Sequence, residues 1–391
     1  MKKRSRKRTR LLFRTKNRKS DATGRLQFSK CGRPWCLGKG MNILFISLGC
    51  DKNLADSEQM LGLLAEKGHM IVDSEEEADA IVINTCCFIL DAKEESIETI
   101  LEMAEHRKNG RCKALVVTGC MAERYKDEIL QELPEIDAVL GTSSYEKIVE
   151  AVERSVDGER LSFFSDINSP VPDIVPRMVT TGGHYGYLKI AEGCDKHCTY
   201  CIIPSLRGSY RSVPMEILVR EARQLAAQGV KELVLVAQET TVYGKDLYGR
   251  KTLHLLLREL CRIEGLVWIR ILYCYPEEIY DELIQVMKEE KKICHYLDMP
   301  IQHASSRILA RMGRRTTKEE LLGIIGKLRK EIPDIVLRTT LIAGFPGETR
   351  EDHEELMEFV ARIGFERLGV FAYSAEENTP AALMPDQIPQ E

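Results

Sequence analysis

Three cysteines stand close together at Cys194, Cys198 and Cys201, in the run EGCDKHCTYC with the spacing C-x3-C-x2-C. Three thiolates on one short loop can hold three irons of a 4Fe-4S cluster and leave the fourth iron open to an outside ligand. Zinc is the alternative, but a structural zinc site takes a fourth protein ligand, and the nearby candidate, His197, lies inside the loop itself. The spacing of these cysteines, here called the C-terminal triad, therefore favours an iron–sulfur cluster over zinc.

A second set of cysteines, here called the N-terminal triad, consists of Cys50, Cys86 and Cys120. Each follows a predicted strand, and the separations of 36 and 34 residues are each about one strand-helix-strand step. Neighbouring parallel strands end at the same edge of a sheet, so these thiols are expected to meet there and to hold another cluster with an open iron. Taken singly, each is more typical of a small buried hydrophobe. Cys87 is expected to point away, because its neighbour Cys86 has the matching register.

The elements that must position the N-terminal triad alternate between short β-branched runs and amphipathic helical stretches. This alternation predicts an open parallel α/β sheet over residues 41–156, because consecutive strand-helix units pack as parallel strands. The predicted strands are Asn42–Ser47, Ala80–Asn84, Ala114–Thr118 and Ala138–Leu140, and the predicted helices are Leu54–Lys67, Ala92–His106 and Ala122–Leu133.

Residues 157–184 are rich in turn-forming residues and are predicted to be a linker. A second alternation over residues 185–380 predicts six strand-helix units, which form a partial TIM-like barrel short of the eight units of a closed one. Both regions are expected to carry their chemistry at the carboxyl ends of the strands. The predicted strands are Tyr187–Ala191, Glu232–Ala237, Trp268–Leu272, Tyr296–Met299, Ile335–Ile342 and Arg367–Ala372, and one of the predicted helices is Pro276–Glu289.

The chain of 391 residues has a formal net charge of -4, but the charge is unevenly distributed. Residues 1–40 hold 15 Lys and Arg against one acid, Asp21, and are predicted to be a disordered basic head or a mis-called start before Met41. The remaining residues hold 41 bases against 59 acids, a net charge of -18. An acidic body of this kind fits a basic protein partner better than the phosphates of a nucleic acid.

The 13 cysteines are an odd number, and no secretory signal precedes them. This combination argues against a disulfide framework and indicates reduced thiols in the cytoplasm. No apolar run reaches the roughly 18 residues that a membrane span needs, so we expect no membrane association.

The C-terminal triad, followed by IIPSLRG at residues 202–208, resembles the radical S-adenosylmethionine superfamily. With both triads in this order, the chain from about Met41 to Pro380 resembles the methylthiotransferase family. One branch of that family modifies an adenosine in tRNA, and the other modifies an aspartate of small-subunit ribosomal protein twelve. Three motifs resemble the ribosomal-protein branch: GCDKN at residues 49–53, AQETTVYG at 237–244 and DMPIQHAS at 298–305.

The resemblance implies two 4Fe-4S clusters and S-adenosylmethionine as cofactors. The C-terminal triad would hold the cluster that cleaves S-adenosylmethionine to a 5′-deoxyadenosyl radical, which takes a hydrogen from the aspartate β-carbon. The N-terminal triad would hold the cluster that delivers the methylated sulfur. The implied partners are the ribosomal protein as substrate, a flavodoxin- or ferredoxin-like electron donor and a sulfur donor.

Further cofactor contacts are expected from the same resemblance and from the strand ends. Tyr200, the aromatic residue before the last cysteine of its triad, is expected near the adenine. Gln238 and Gln302 sit at strand ends, while Gly344 and Gly347 permit close approach of the backbone to a ligand. We expect no catalytic residue beyond the cluster ligands.

Two features depart from the family pattern, and two other functions stay open. Family members usually end in a small β-barrel, which this chain lacks room for, so residues 381–391 are predicted to be a truncated tail. The basic head has no expected counterpart. One alternative function is a tRNA adenosine methylthiotransferase, although no concentrated basic and aromatic surface is evident outside the head. The other is a non-catalytic electron carrier, although carriers usually close their clusters with a fourth cysteine.

Overall fold

The computed structural model describes residues 40–171 and 176–389, so the predicted basic head lies outside the described residues apart from Gly40. The described chain forms two compact units. The first contains residues 40–87, 91–165 and 176–180, and the second contains residues 88–90, 166–171 and 181–389. No helix among the described residues is long and apolar enough to cross a membrane.

The first unit is built on a six-stranded sheet in which every strand runs parallel to its neighbours. Its strands are β1 (Asn42–Ser47), β2 (Met70–Val72), β3 (Ala80–Thr85), β4 (Ala114–Gly119), β5 (Ala138–Leu140) and β6 (Leu161–Phe163), in the spatial order β2-β1-β3-β4-β5-β6. Its helices are α1 (Asp51–Glu66), α2 (Leu90–Asn109), α3 (Cys120–Tyr125), α4 (Asp127–Glu132) and α5 (Ile148–Val156).

The central strands β3 and β4 are buried along their whole length, as is typical of parallel sheets covered on both faces. Their sequences are therefore continuous apolar runs such as ALVVTG in β4 rather than alternating ones. Phe45 of β1, Met60 of α1 and Val152 of α5 pack in one core on one face of the sheet. This packing fixes the strand ends from which the N-terminal triad projects.

The second unit contains six parallel strands in the spatial order β14-β13-β12-β11-β10-β7. These strands are β7 (Tyr185–Lys189), β10 (Glu232–Val236), β11 (Trp268–Ile271), β12 (Ile293–Asp298), β13 (Val336–Ala343) and β14 (Arg367–Ala372), and a short antiparallel pair joins β8 (Ala191–Glu192) to β9 (Arg211–Ser212). The helices are α6 (Ile203–Arg207), α7 (Met215–Ala227), α8 (Lys245–Tyr248), α9 (Leu253–Cys261), α10 (Asp281–Glu289), α11 (Ser306–Arg311), α12 (Lys318–Glu331) and α13 (Arg350–Ile363).

The predicted fold class is confirmed: an open parallel α/β unit is followed by six parallel strands with helical crossovers. Threonine side chains cap the N-termini of the two longest helices of the second unit, α12 and α13. Thr317 and Thr349 each accept the backbone N–H of the third helical residue, and an acidic side chain there bonds back to the capping residue. This reciprocal capping satisfies two otherwise unpaired donors at each helix start.

Two predicted helices are wrong in extent. The helix predicted over Ala122–Leu133 is broken into α3 and α4, because Lys126 takes a left-handed φ of 45°, which interrupts the helix. The helix predicted over Pro276–Glu289 begins later, since a 3₁₀ turn at Pro276–Glu278 and an extended Tyr280 precede α10. The edge strands β2 and β6 were not predicted, and β6 lies within the segment predicted as a linker.

Candidate functional site

The N-terminal triad lies at the carboxyl edge of three adjacent strands. Cys86 follows β3 directly, Cys120 follows β4 and begins α3, and Cys50 lies three residues beyond the end of β1. The strands are in register there, because Ser47 pairs with Asn84 in the ladder and Thr85 pairs with Gly119. The structure thus places all three predicted positions at one edge of one sheet.

Asn53, one helical turn beyond Cys50, ties these strand ends together. Its fully buried side-chain amide donates to the carbonyl oxygens of Leu48 (3.2 Å) and Thr85 (2.9 Å). Its side-chain oxygen lies 3.7 Å from the Sγ of Cys120, which donates to it. One asparagine therefore contacts the ends of β1 and β3 and a thiol of the triad. This role of Asn53 is not predicted from the sequence, although the residue lies within the motif GCDKN.

Exposure differs among the thiols at this edge. Cys50 is exposed, whereas Cys86 and Cys120 are largely buried and Cys87 is fully buried. Burial, followed by the charge of nearby Cys120, raises the pKa of Cys87 to about 12. The carbonyl oxygen of Cys87 accepts a hydrogen bond of 3.0 Å from Arg124. Burial and register both favour Cys86 over Cys87 as the accessible thiol.

Two glycines permit the close approach of the strand ends. Gly49 has φ 91°, and a Cβ there would lie 3.1 Å from the Sγ of Cys86. Gly119 has φ 94°, and a Cβ there would lie 2.2 Å from the side-chain oxygen of Asn84 and 2.6 Å from the carbonyl oxygen of Thr85. Both positions therefore require glycine for their backbone conformation and for space.

The substitution Gly119→Ala is expected to destabilise the first unit by more than Gly158→Ala. Both glycines have φ 94°, so both variants incur about 1–3 kcal/mol of backbone strain. Only Gly119 also meets neighbouring atoms, and this overpacking adds roughly 1–3 kcal/mol, whereas nothing lies within 4 Å of a Cβ at Gly158. Urea unfolding of both variants measures the difference, and equal losses would contradict the account.

The C-terminal triad lies on a loop that follows β8. Gly193 begins this loop at φ 76°, and a Cβ there would lie 2.0 Å from the carbonyl oxygen of Ser209. The backbone N–H of Cys194 donates to the carbonyl oxygen of Gly208 at 3.0 Å. The loop is therefore held against the segment before β9 by backbone contacts.

The donor chemistry of this loop fits an iron–sulfur cluster. Burial raises the pKa of Cys194 to about 11 and that of Cys201 to about 12. The thiols of Cys194 and Cys201 therefore stay protonated unless a bound cation stabilises the thiolates, as iron does. The backbone N–H of Lys196 already donates to the Sγ of Cys194 at 3.4 Å. The part of the chain that the structure describes holds no group of three His, Cys, Asp or Glu side chains closing on a single ion.

Tyr200 lies within this loop, with its ring packed edge-to-face against Phe345 at a centroid distance of 6.4 Å. Phe345 is itself fully buried and packs against Tyr373 at 5.4 Å. Burial raises the pKa of Tyr200 well above its usual value, so its hydroxyl stays neutral. The ring connects the triad loop to the glycine-containing loop after β13, where two other predicted contacts lie.

Gln238 hydrogen-bonds to Glu192, a buried acid that is paired with two cations. Its side-chain nitrogen donates to Glu192 at 3.3 Å, while its side-chain oxygen is buried without a hydrogen-bond partner in the described structure. Glu192 also accepts from Lys189 (2.7 Å) and Arg207 (3.2 Å). Burial alone would raise the pKa of Glu192, but these two cations outweigh burial and lower it. The unpaired oxygen of Gln238 remains available for a donor on a ligand.

Gln302 combines backbone strain with an unpaired polar atom. Its φ is 70°, a left-handed conformation that non-glycine residues rarely adopt. Backbone bonds to Thr340 (2.9 Å) and Ile342 (2.8 Å) hold it there. Its side-chain oxygen is buried and has no partner among the described residues. Strain of this kind persists where the surroundings enforce it and is typical of functional sites.

Gly344 and Gly347 form a loop after β13 with φ values of 75° and 79°. The carboxylate of Glu348 shapes the loop by accepting the backbone N–H groups of Gly344 (2.6 Å) and Phe345 (3.0 Å). A Cβ at Gly347 would lie 2.8 Å from the guanidinium of Arg311, while one at Gly344 would meet nothing within 4 Å. Glu348 therefore positions this loop, a role that is not predicted from the sequence.

Glu239 is a buried acid beside the C-terminal triad that is not predicted from the sequence as a site residue. Its carboxylate lies 3.8 Å from the Nζ of Lys196, which also pairs with Glu277 (3.6 Å) and Glu278 (2.6 Å). Burial raises the pKa of Glu239 from 4.5 to about 7, with nearby carboxylates adding to the increase. Lys196 lies farthest from Glu239, and Glu278 also pairs with Lys251 at 2.8 Å, so Glu239 is the least compensated of the three acids.

This raised pKa predicts a pH-dependent stability that Glu239→Gln removes. The folded protein binds the Glu239 proton more tightly than the unfolded chain does, so wild-type stability falls as pH rises from about 4.5 through 7. The loss amounts to about 3 kcal/mol. The free energy of unfolding of apo-protein is measured with urea at pH 4.5 and pH 8. From the lower to the higher pH, Glu239→Gln should become more stable relative to wild type by that amount. An equal stability difference at both pH values would be inconsistent with this assignment.

Comparison with known proteins assigns the two units. Residues 42–141 match the model of uncharacterized protein family UPF0004, and residues 188–360 match the radical SAM superfamily. Over 348 residues the chain is 66% identical to ribosomal protein uS12 methylthiotransferase RimO of Lachnoclostridium phytofermentans, covering 89% of this chain and 79% of that protein. The chain belongs to the ribosomal protein uS12 methylthiotransferase family. The same-named protein of Clostridium perfringens is 53% identical over 352 residues, covering 88% of this chain and 78% of that protein.

Membership in the uS12 methylthiotransferase family confirms the predicted enzyme class and cofactors. The chain is a transferase of the radical SAM type, and such methylthiotransferases use S-adenosylmethionine and two 4Fe-4S clusters. The fold agrees with the radical S-adenosylmethionine methyltransferase TsrM from Kitasatospora setae, at a TM-score of 0.62 with 15% identity, covering 88% of this chain and 77% of that one. At that identity, the likeness supports the fold alone.

Proposed function

We propose that this chain transfers a methylthio group to the β-carbon of an aspartate in ribosomal protein uS12. The observation that carries this proposal is the 66% identity, over most of both chains, to a relative named for methylthiotransfer to uS12. The acidic body supports it, because a net charge of -18 outside the basic head complements a basic ribosomal protein. The same charge disfavours tRNA as the substrate.

The two triads divide the work in this proposal. When bound, the cluster on the C-terminal triad supplies the electron that cleaves S-adenosylmethionine, and the cluster on the N-terminal triad supplies the sulfur to be transferred. The chain's own residues hold and orient these groups. Six thiols provide the ligands: Cys50, Cys86 and Cys120 in the first unit, and Cys194, Cys198 and Cys201 in the second.

Five other residues orient S-adenosylmethionine in this proposal. The buried, unpaired side-chain oxygens of Gln238 and Gln302 are free to accept from its amino or ribose groups. Tyr200 packs beside the bound adenine, and the loop containing Gly344 and Gly347 lets the backbone approach it closely. A flavodoxin- or ferredoxin-like protein provides the electron, a separate donor provides the sulfur, and the reaction takes place in the cytoplasm.

The proposed division of labour predicts different losses for the two triads. Cys194→Ala should abolish reductive cleavage of S-adenosylmethionine while leaving the absorbance of the first cluster. Cys50→Ala should retain cleavage but stop methylthio transfer to uS12. Anaerobic assays of 5′-deoxyadenosine and of uS12 mass check both outcomes, with Cys261→Ala, a buried thiol of α9 outside both triads, as the matched control. Equal loss of cleavage in both triad variants would refute this division.

The substrate is tested by measuring intact masses of uS12 and nucleoside composition of tRNA in cells with and without this gene. The proposal predicts that one methylthio group is lost from uS12 alone. Loss from tRNA alone would instead identify the tRNA adenosine branch. If the purified chain bound clusters but cleaved no S-adenosylmethionine, the electron-carrier function would replace both.

A further inference from the structure

Arg314 is a buried cation whose charge is not paired in the described part of the chain. The residue is 5% exposed, and one guanidinium nitrogen donates to the carbonyl oxygen of Pro300 at 2.8 Å. Its Nε and Nη1 are buried without hydrogen-bond partners, and no carboxylate among the described residues lies within 4.0 Å of it. A buried guanidinium with unpaired donors destabilises the folded protein unless an anion lies close to it.

Arg314 stacks on the ring of Tyr275, which in turn contacts a cysteine of the C-terminal triad. The Cζ of Arg314 lies 4.2 Å from the centroid of the Tyr275 ring. The hydroxyl of Tyr275 lies 3.4 Å from the Sγ of Cys198, the central cysteine of the C-terminal triad. Arg314, Tyr275 and Cys198 therefore form a continuous chain of contacts within the second unit.

This arrangement is held rigidly by the backbone. Gly313, next to Arg314, has φ 70°, and a Cβ there would lie 2.7 Å from the carbonyl oxygen of His197 in the triad loop. The N–H and hydroxyl of Thr199 donate to the carbonyl oxygens of Met312 (3.0 Å) and Arg311 (2.9 Å). The segment carrying Arg314 is thus fixed directly against the loop that carries Cys198.

Lys196 provides a contrast at the same ring. Its Nζ lies 5.0 Å from the centroid of Tyr275, but Glu239, Glu277 and Glu278 all lie within 3.8 Å of that nitrogen and compensate its charge. Arg314 has no comparable acidic shell in the described structure, although Glu277 acts on it at longer range. Arg314 is therefore the less compensated of the two cations at the Tyr275 ring.

We propose that Arg314, acting through Tyr275, raises the reduction potential of the iron–sulfur cluster on the C-terminal triad. The inference rests on the ligand set assigned under the proposed function. Reduction adds one electron to the cluster, and a nearby buried cation stabilises that added negative charge in a medium of low dielectric. The Tyr275 hydroxyl adds a hydrogen bond to a ligand sulfur, which acts in the same direction. Arg314 is thus a positioning and electrostatic residue rather than a catalytic one.

The test is a redox titration of the full-length chain carrying alanine at Cys50, Cys86 and Cys120, so that only the second cluster is present. The protein is reconstituted anaerobically with iron and sulfide and titrated with dithionite and mediators, without S-adenosylmethionine. Electron paramagnetic resonance of the reduced cluster reports the reduced fraction at each potential. Iron content and circular dichroism verify loading and folding in every variant.

Arg314→Met should lower the reduced-to-oxidised ratio at a fixed potential about tenfold, which corresponds to about 59 mV for one electron. Arg314→Lys keeps the charge and should have a ratio close to that of the unsubstituted chain. Tyr275→Phe keeps the ring and loses the hydroxyl, so it should give a smaller decrease. Arg258→Met removes a surface arginine paired with Glu289 and should leave the ratio unchanged.

An unchanged ratio in Arg314→Met, or equal decreases in the Met and Lys variants, would overturn the inference. If Arg314→Met fails to fold, the other two variants decide. An unchanged ratio in Tyr275→Phe together with a tenfold decrease in Arg314→Lys would overturn the inference. A decreased ratio in Tyr275→Phe together with a nearly unchanged ratio in Arg314→Lys would support it. Absence of any cluster in the triple-alanine background would refute the ligand assignment and the inference with it. A loaded cluster with an unshifted potential would refute the inference alone.

Discussion

The shared direction of neighbouring strands is the constraint on which both sites depend. In a parallel sheet every strand delivers its last residue to the same edge, so side chains distant in sequence meet there. The cysteines of the N-terminal triad are 36 and 34 residues apart in the chain, yet they follow adjacent strands in register. In the second unit, the same rule places Gln238, Gln302 and Gly344 at the ends of parallel strands.

A sheet edge also leaves backbone groups unpaired, and the protein satisfies them with side chains that are part of the site. Asn53 donates to two strand-end carbonyl oxygens in the first unit. In the second unit, Glu348 accepts two backbone N–H groups of the glycine-containing loop, and His303 lies 3.6 Å from the same carboxylate. These residues fix the backbone geometry around the thiols and the predicted cofactor contacts, which is what preorganisation of a site requires.

The sequence predicted the features that depend on local pattern. The β-branched runs of β1, β3 and β4 predicted the central strands, and cysteine spacing predicted both triads. The break at Lys126 and the late start of α10 could not be predicted, because local periodicity continues through both. Asn53, Glu348 and Arg314 were missed for another reason. Asn53 and Arg314 act through contacts with residues far away in sequence, which composition and spacing do not reveal. Glu348 acts on backbone N–H groups three and four residues before it, in a loop whose conformation the spacing does not reveal.

The central claim is that each triad holds its own cluster. Iron and sulfide analysis with Mössbauer spectroscopy of anaerobically reconstituted protein tests it directly. The account predicts about eight irons per chain in two 4Fe-4S clusters. It also predicts about four when alanine replaces all three cysteines of either triad. Loss of all iron from one triple variant, or eight irons retained in either, would contradict it.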